Sequence, residues 1–161
     1  MMEEKEKAWK TVSSKYLFRR PWLTVRCEDM LLPNGNHIPE YYILEYPDWV
    51  NTIAITKDGK FVFVRQYRPG LGRTSYELCA GVCDKEDASP LVSAQRELWE
   101  ETGYGKGNWQ EYMVISANPS THTNLTHCFL ATDVEPIDHQ HLEDTEDLSV
   151  HLLTFEEVKQ L

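Results

Sequence analysis

The chain has 161 residues, 41% hydrophobic and 11% aromatic, and a formal charge of -10 at neutral pH. That length fits one domain with a buried core, and the acidic balance argues against nucleic-acid binding, which needs a basic face. No apolar run approaches the ~20 residues of a membrane span, and the charged N-terminus MMEEKEKAWK lacks a signal peptide's apolar stretch, so a cytoplasmic location is expected.

An anionic substrate would need cations supplied locally, by arginine or by a bound metal ion. Cys27, Cys79, Cys83 and Cys128 read as small buried thiols. A chain of this size does not need disulfides, and the C-x3-C of Cys79 and Cys83 lacks a second pair at zinc-finger spacing.

Taken in order, the first fifty residues read as extended. WLTVRCEDMLL and YYILEY flank PNGNH, whose Asn34-Gly35 signals a hairpin turn. NTIAIT and FVFVRQY flank KDGK, a second hairpin around Asp58-Gly59. SYELCAG reads as one short strand ending at Gly81, followed by the polar loop VCDKEDAS. Further strands are EYMVIS, THCFLATDV and LSVHLLT. Thr154 and Glu157 form a capping-box pattern opening a last helix that has barely begun at Leu161, as if the chain ended early there or had been cut.

The central helix is clearly marked. Ser89 suits the N-cap, Pro90 the first helical position and Gly103 the residue just past the end. Leu91, Ala94 and Leu98 fall on one stripe and should face the core. Its last turns read RELWEETGY, with Glu97, Glu100 and Glu101 close together. Glu97 and Glu101 project together along the edge of the stripe, and Arg96 and Glu100, four apart, are placed to pair. Such clustering opposes the helix macrodipole, which favours cations at a C-terminus. The strand–loop–helix order brings the Gly81 turn beside the same acids. Carboxylates and main-chain carbonyls together make an oxygen-rich site of the kind hard cations such as Mg2+ prefer.

These residues resemble the Nudix box, G-x5-E-x7-R-E-U-x-E-E-x-G-U, where U is a bulky apolar residue. Gly81 opens it, and Arg96, Glu97, Leu98, Glu100, Glu101, Gly103 and Tyr104 close it in register. The opening half is one residue longer than the pattern. Counting back from Arg96 places Ala88 where glutamate is expected, with Asp87 or Glu86 to fill that role. Outside the box, VRQYRPGLGRTSYELCAG resembles the segment preceding it in ADP-ribose pyrophosphatases and related nucleotide-sugar hydrolases, with Cys79 in place of a proline. DTEDLSVHLLT resembles their late acidic loop and the strand after it. The likeness covers roughly residues 10 to 160.

The resemblance implies a Nudix fold: an α/β/α sandwich with a mixed central sheet and an N-terminal antiparallel strand region. It implies a single domain over residues 1–161, with 1–50 a strand extension used for dimerisation and 51–161 the core. It implies hydrolysis of a nucleoside diphosphate linked to another group, ADP-ribose or a similar nucleotide sugar first among them. A nucleoside triphosphate or dinucleotide substrate, or a non-catalytic nucleotide-sugar-binding domain, are the alternatives. Glu97 and Glu101 would hold Mg2+ (or Mn2+), with the Ala80 carbonyl completing a coordination sphere and Glu100 adding a contact or serving as base. Glu146 matches the late-loop acid that holds metal or activates water, with Asp144 its nearby substitute. Arg68 and Glu77 match substrate-side positions, and Arg96 reads as structural. The family likeness favours a homodimer acting on a small nucleotide, with no nucleic-acid or membrane partner. One stretch departs from the pattern: ANPSTHTNLTHCFLA carries His122, Asn124 and His127, which are either polar loop residues or substrate contacts. DHQH, Asp138 to His141, is either a solvated loop or a metal chelate.

Overall fold

The structure, a computed structural model, describes residues 7–161, so most of the charged N-terminal segment lies outside the described residues. The chain forms two compact units, Met1–Tyr46 with Ser116–Asn124, and Pro47–Ile115 with Leu125–Leu161. No helix among the described residues is long and apolar enough to cross a membrane.

The first unit is a three-stranded antiparallel sheet, β1 (Lys10–Arg20), β2 (Leu23–Leu31) and β3 (His37–Glu45), in that order. The Asn34-Gly35 turn joins β2 to β3 as expected. Gly35 takes a φ of 86°, and the Asn34 side chain accepts from the backbone N–H of Asn36 at 2.9 Å. Residues 116–124 join this unit through main-chain bonds: Leu44 N–H donates to Thr121 O at 2.8 Å and Thr123 N–H to Leu44 O at 3.1 Å.

The second unit is built on a mixed sheet. Its strands are β4 (Trp49–Thr56), β5 (Phe61–Arg68), β6 (Arg73–Glu77), β7 (Cys79–Val82), β8 (Tyr104–Gly105), β9 (Asn108–Ile115), β10 (Thr126–Pro136) and β11 (Leu148–Leu153). The order is β11-β5-β4-β10-β8, with β6 on β5, β7 on β4 and β9 on β10. Hairpin β4–β5 turns at Gly59, φ 79°, as the sequence suggests. Helices α1 (Pro90–Thr102) and α2 (Phe155–Val158) complete the unit, and α2 carries both halves of the expected capping box.

Strand β4 alternates strictly in burial, turning Val50, Thr52, Ala54 and Thr56 inward. Against it packs the apolar stripe of α1: Ala94 and Leu98 are fully buried and Leu91 packs beside them, with Val62, Cys79, Phe129, Ala131 and Val134 filling the space between. The four cysteines are unpaired thiols, three of them buried and Cys83 half-buried.

One expectation fails here. SYELCAG is not a single strand: it breaks at Leu78 into β6 and β7. The reason is topological. β4 and β5 pair with each other only at Ala54–Val62 and Ile55–Phe61, and then diverge. The chain follows the freed edge of β5 (Val64↔Glu77 to Arg68↔Arg73) and crosses to the freed edge of β4 (Thr52↔Cys79 to Trp49↔Val82). Each diverging edge thereby recovers main-chain partners. The fork sets Glu77 on one arm and Ala80-Gly81 on the other.

Candidate active site

Helix α1 is fixed at both ends by the residues the sequence marks. The Ser89 side chain accepts from Val92 N–H, Pro90 occupies the first turn, and Gly103, at φ 73°, donates its N–H to Trp99 O at 2.8 Å. The helix lies against β7, so its acids meet the Ala80-Gly81 backbone. Glu101 is buried, and its Oε2 accepts from Ala80 N–H at 3.3 Å. Glu97 lies over Gly81 itself: a Cβ built on Gly81 would lie 2.0 Å from the Glu97 carboxyl carbon. The opening glycine of the box is therefore the space that Glu97 occupies.

Arg96 ties the constellation together. Its guanidinium donates to Asp87 Oδ2 at 3.0 and 3.1 Å, Glu97 Oε1 at 2.9 Å, Glu100 Oε2 at 3.0 Å and the Val82 carbonyl at 2.9 Å. Burial opposes its charge, but the bonds to these acids hold its pKa above the usual arginine range. Of the loop acids, Asp87 and, at 3.3 Å, Asp84 meet the box arginine, and Ala88 is exposed. Ala88→Glu is expected to change turnover by less than about twofold, within the scatter of exposed substitutions; a large gain in a steady-state assay would show that the position lacks a needed acid.

Electrostatically the acid cluster is poised for a cation. Burial raises the Glu97 pKa, against the lowering effect of Arg96. Glu101 is pushed up to about 7 by burial, with the charges of Glu97 and Glu146 adding to the rise and bonds from Cys79 and Ala80 opposing it. The Cys79 thiol itself is pushed well up by burial and by the neighbouring Glu101 charge. An oxygen-rich group of carboxylates, two of them raised by burial and like charge, fits a hard divalent ion, which would relieve both costs.

A stability consequence follows from Glu101. Its folded pKa exceeds the ordinary 4.5, so folding favours the protonated form. That contribution is complete below about 4.5 and is lost as pH rises through about 7. Without metal, Glu101→Gln is therefore expected to melt roughly 5 °C above the unaltered chain at about pH 8 and nearly level with it at about pH 5. Thermal denaturation in chelator at both pH values checks this; equal melting at the higher pH contradicts it.

Arg68 and Glu77 face each other across the β5–β6 pair. Arg68 Nη2 donates to Glu77 Oε2 at 2.6 Å and its Nε to both oxygens at 2.9 and 3.0 Å. This bond, backed by Ser75 and Gln66, lowers the Glu77 pKa. Arg68 borders two clefts. One, of about 440 Å3, runs along Trp49, Asn51, Ala80, Gly81 and Thr126. The other, of about 510 Å3, is bordered by Arg65, Gln66, Thr74 and Glu146. Glu146 is exposed, accepts from Glu143 N–H at 2.9 Å, and is near enough for its charge to raise both Glu97 and Glu101.

Cys79 is the buried thiol the sequence suggests, but its place beside Glu101 was not foreseen. Sequence reasoning also missed Trp49 and Asn51 as cleft-lining residues, although the inward–outward alternation of β4 carries that signal. The histidines divide. His122 and Asn124 belong to the first unit, where the His122 ring meets Tyr46 at 5.3 Å. His127 lies on β10 in the second, bonded to Glu111 at 2.8 Å and Asp48 at 3.4 Å.

With this geometry in view, comparison with known proteins gives a consistent result. Residues 46–161 match the NUDIX domain, and residues 9–44 match the nucleoside diphosphate sugar hydrolase N-terminal domain. The chain belongs to the Nudix hydrolase family, whose members typically use a divalent metal ion and act on nucleotide-type small molecules. It is similar to an ADP-ribose pyrophosphatase of Bacillus subtilis (strain 168), 31% identical over 94% of this chain and 82% of that protein. A methanol dehydrogenase activator of Bacillus methanolicus is 33% identical over 76% of this chain and 65% of its own length. An ADP-ribose pyrophosphatase of Mycobacterium tuberculosis is 28% identical over 82% of this chain, which spans 63% of that protein. A crystal structure of an ADP compounds hydrolase superposes with a TM-score of 0.82 at 21% identity, covering 98% of this chain and 84% of the other. The fold is accordingly the Nudix fold in a mostly-strand α+β form, with an N-terminal three-stranded antiparallel sheet and a mixed main sheet.

Proposed function

We propose that this protein is a Mg2+-dependent pyrophosphohydrolase of a nucleoside diphosphate sugar, with ADP-ribose the leading substrate. The observation that carries this reading is the pairing of half-buried Glu97 with buried Glu101, seated on Ala80-Gly81 beside a cleft bordered by Arg68. The substrate class is supported by the match of residues 9–44 and by the relatives named for ADP-ribose hydrolysis.

In this reading Glu97, Glu101, Glu100 and the Ala80 carbonyl would hold the ion. The bound ion would supply charge neutralisation at the diphosphate and a more acidic water. Arg96 keeps Glu97 and Glu100 in place. Arg68, oriented by Glu77, meets phosphate oxygens with the planar guanidinium suited to bidentate contact. Trp49 and Asn51 line the cleft for the nucleoside or the sugar. Glu100 is already engaged by Arg96, whereas Glu146 stands at the mouth of the larger cleft. Glu146 is therefore the group we assign to take the proton from attacking water, with Glu100 acting beside the ion. Glu146→Gln is expected to lower kcat by about 10²–10⁴-fold with little change in KM; a loss confined to KM contradicts a role in the chemical step.

We also propose that the chain is a homodimer, residues 1–50 supplying the dimerisation strands and residues 51–161 the catalytic core. β1 is exposed along its whole length, and Val12, Phe18 and Trp22 are exposed large apolar residues in this unit.

Purified protein should be assayed with Mg2+ against ADP-ribose, other nucleotide sugars, dinucleotides and nucleoside triphosphates, with products resolved by chromatography. Highest kcat/KM on ADP-ribose is the expected result. Preference for a triphosphate or dinucleotide would overturn the substrate assignment while leaving the chemistry standing. Binding of a nucleotide sugar without turnover would favour a non-catalytic domain.

A further inference from the structure

We propose that Asp138, His139 and His141 form a second metal site, separate from the acid cluster, that takes a borderline divalent ion such as zinc, nickel or cobalt. Their ligating atoms all lie within 4.8 Å of one another. The Asp138 carboxylate already bridges the two rings, with Oδ1 at 2.7 Å from His139 Nδ1 and Oδ2 at 3.0 Å from His141 Nε2. An ion entering here replaces ring–carboxylate hydrogen bonds with coordination by two neutral imidazoles and one carboxylate. Imidazole nitrogen selects zinc, nickel, copper or cobalt over magnesium, which prefers oxygen. Three protein ligands leave a coordination position for water.

The donors are held in place by their backbone. The Ile137 and Asp138 N–H groups donate to Gly103 O at 2.9 and 3.1 Å, and His141 N–H donates to Glu100 O at 2.8 Å. The Gln140 side chain donates to Glu101 O at 2.7 Å. Gly103 admits this strap because it has no Cβ; one built there would lie 2.3 Å from Asp138 O. The His141 ring packs on Trp99 with centroids 4.2 Å apart and on the His139 ring at 4.3 Å. The backbone and the His141 ring are thus positioned before an ion arrives, which reduces the entropic cost of binding. The same strap satisfies the last carbonyls of α1, including those of Glu100 and Glu101. An ion here would therefore sit on the support of the acid cluster.

The test is a titration of the full chain with Co2+ in excess Mg2+, followed by visible absorption of the bound cobalt. His139 has a side chain 79% exposed, so His139→Ala is expected to fold as the unaltered chain does. One equivalent of Co2+ should bind the unaltered chain and the Glu97→Gln/Glu101→Gln double variant alike, and bind His139→Ala at least tenfold more weakly. Absence of binding to the unaltered chain overturns the proposal. So does binding that His139→Ala leaves unchanged, or that the double variant loses.

Discussion

Glu97→Gln is expected to lower Mg2+-dependent turnover on the order of 10³-fold, and Glu101→Gln to do the same, in both cases without loss of the fold. A metal ion contributes several kcal/mol of charge stabilisation to phosphoryl chemistry, and each 1.4 kcal/mol or so is tenfold in rate. Removing one carboxylate from the cluster weakens the site for the ion and shifts the ion that still binds. The fold survives because both glutamates are costly to bury as anions: burial raises the pKa of each. A neutral amide of the same shape removes that cost, so the variants are expected to melt at or above the temperature of the unaltered metal-free chain. Measured kcat together with a thermal melt decides the matter. Turnover within threefold of the unaltered chain in both variants sinks the assignment of these acids as metal ligands.

The second large effect is expected at Gly81. No strained backbone angle requires glycine there, since Gly81 is not among the glycines with positive φ. What requires it is the Glu97 carboxylate, which fills the space a Cβ would take, with carboxyl carbon and oxygens at 2.0 to 2.3 Å. In Gly81→Ala the methyl group displaces the end of a flexible side chain and leaves the strand pairing of β7 intact. Stability should change little, while Glu97 is moved by an ångström or more from its position. Misplacement on that scale costs about 10²-fold in a positioned reaction. The expected result is a kcat down by about that factor with a melting temperature within about 2 °C, the scale of a small stability change in a domain this size. Near-normal activity would mean that Glu97 does not need its place on Gly81.

What the sequence revealed and what it concealed divide along physical lines. Helix α1 was legible to the residue because its signals are local: the Ser89 cap, Pro90 in the first turn, and Gly103 in the left-handed region. The two hairpins were legible through Asn34-Gly35 and Asp58-Gly59 for the same reason. The break at Leu78 was not, because it arises where β4 and β5 separate, and no property of SYELCAG encodes that separation. Strand β1 has no buried face to produce an alternating pattern, and β8 is two residues long. At the site, the in-register acids were visible through the family resemblance, but their electrostatics were not. The pKa of about 7 at Glu101 comes from burial, which only the tertiary structure supplies, from Glu97 one helical turn away, and from Glu146, which the fold brings near. That Asp87 and Asp84 are the loop acids paired with Arg96 is visible only in the geometry, because the one-residue lengthening of the loop hides it from the spacing.

The proposed activity is cleavage of a diphosphate that depends on a divalent ion. The most direct measurement is product release from ADP-ribose by the purified, unaltered chain, with Mg2+ and then with excess chelator. AMP and ribose 5-phosphate appearing in equal amounts with Mg2+, and neither with chelator, is the predicted result. Turnover that persists undiminished in chelator, or products from a bond other than the diphosphate, would contradict it.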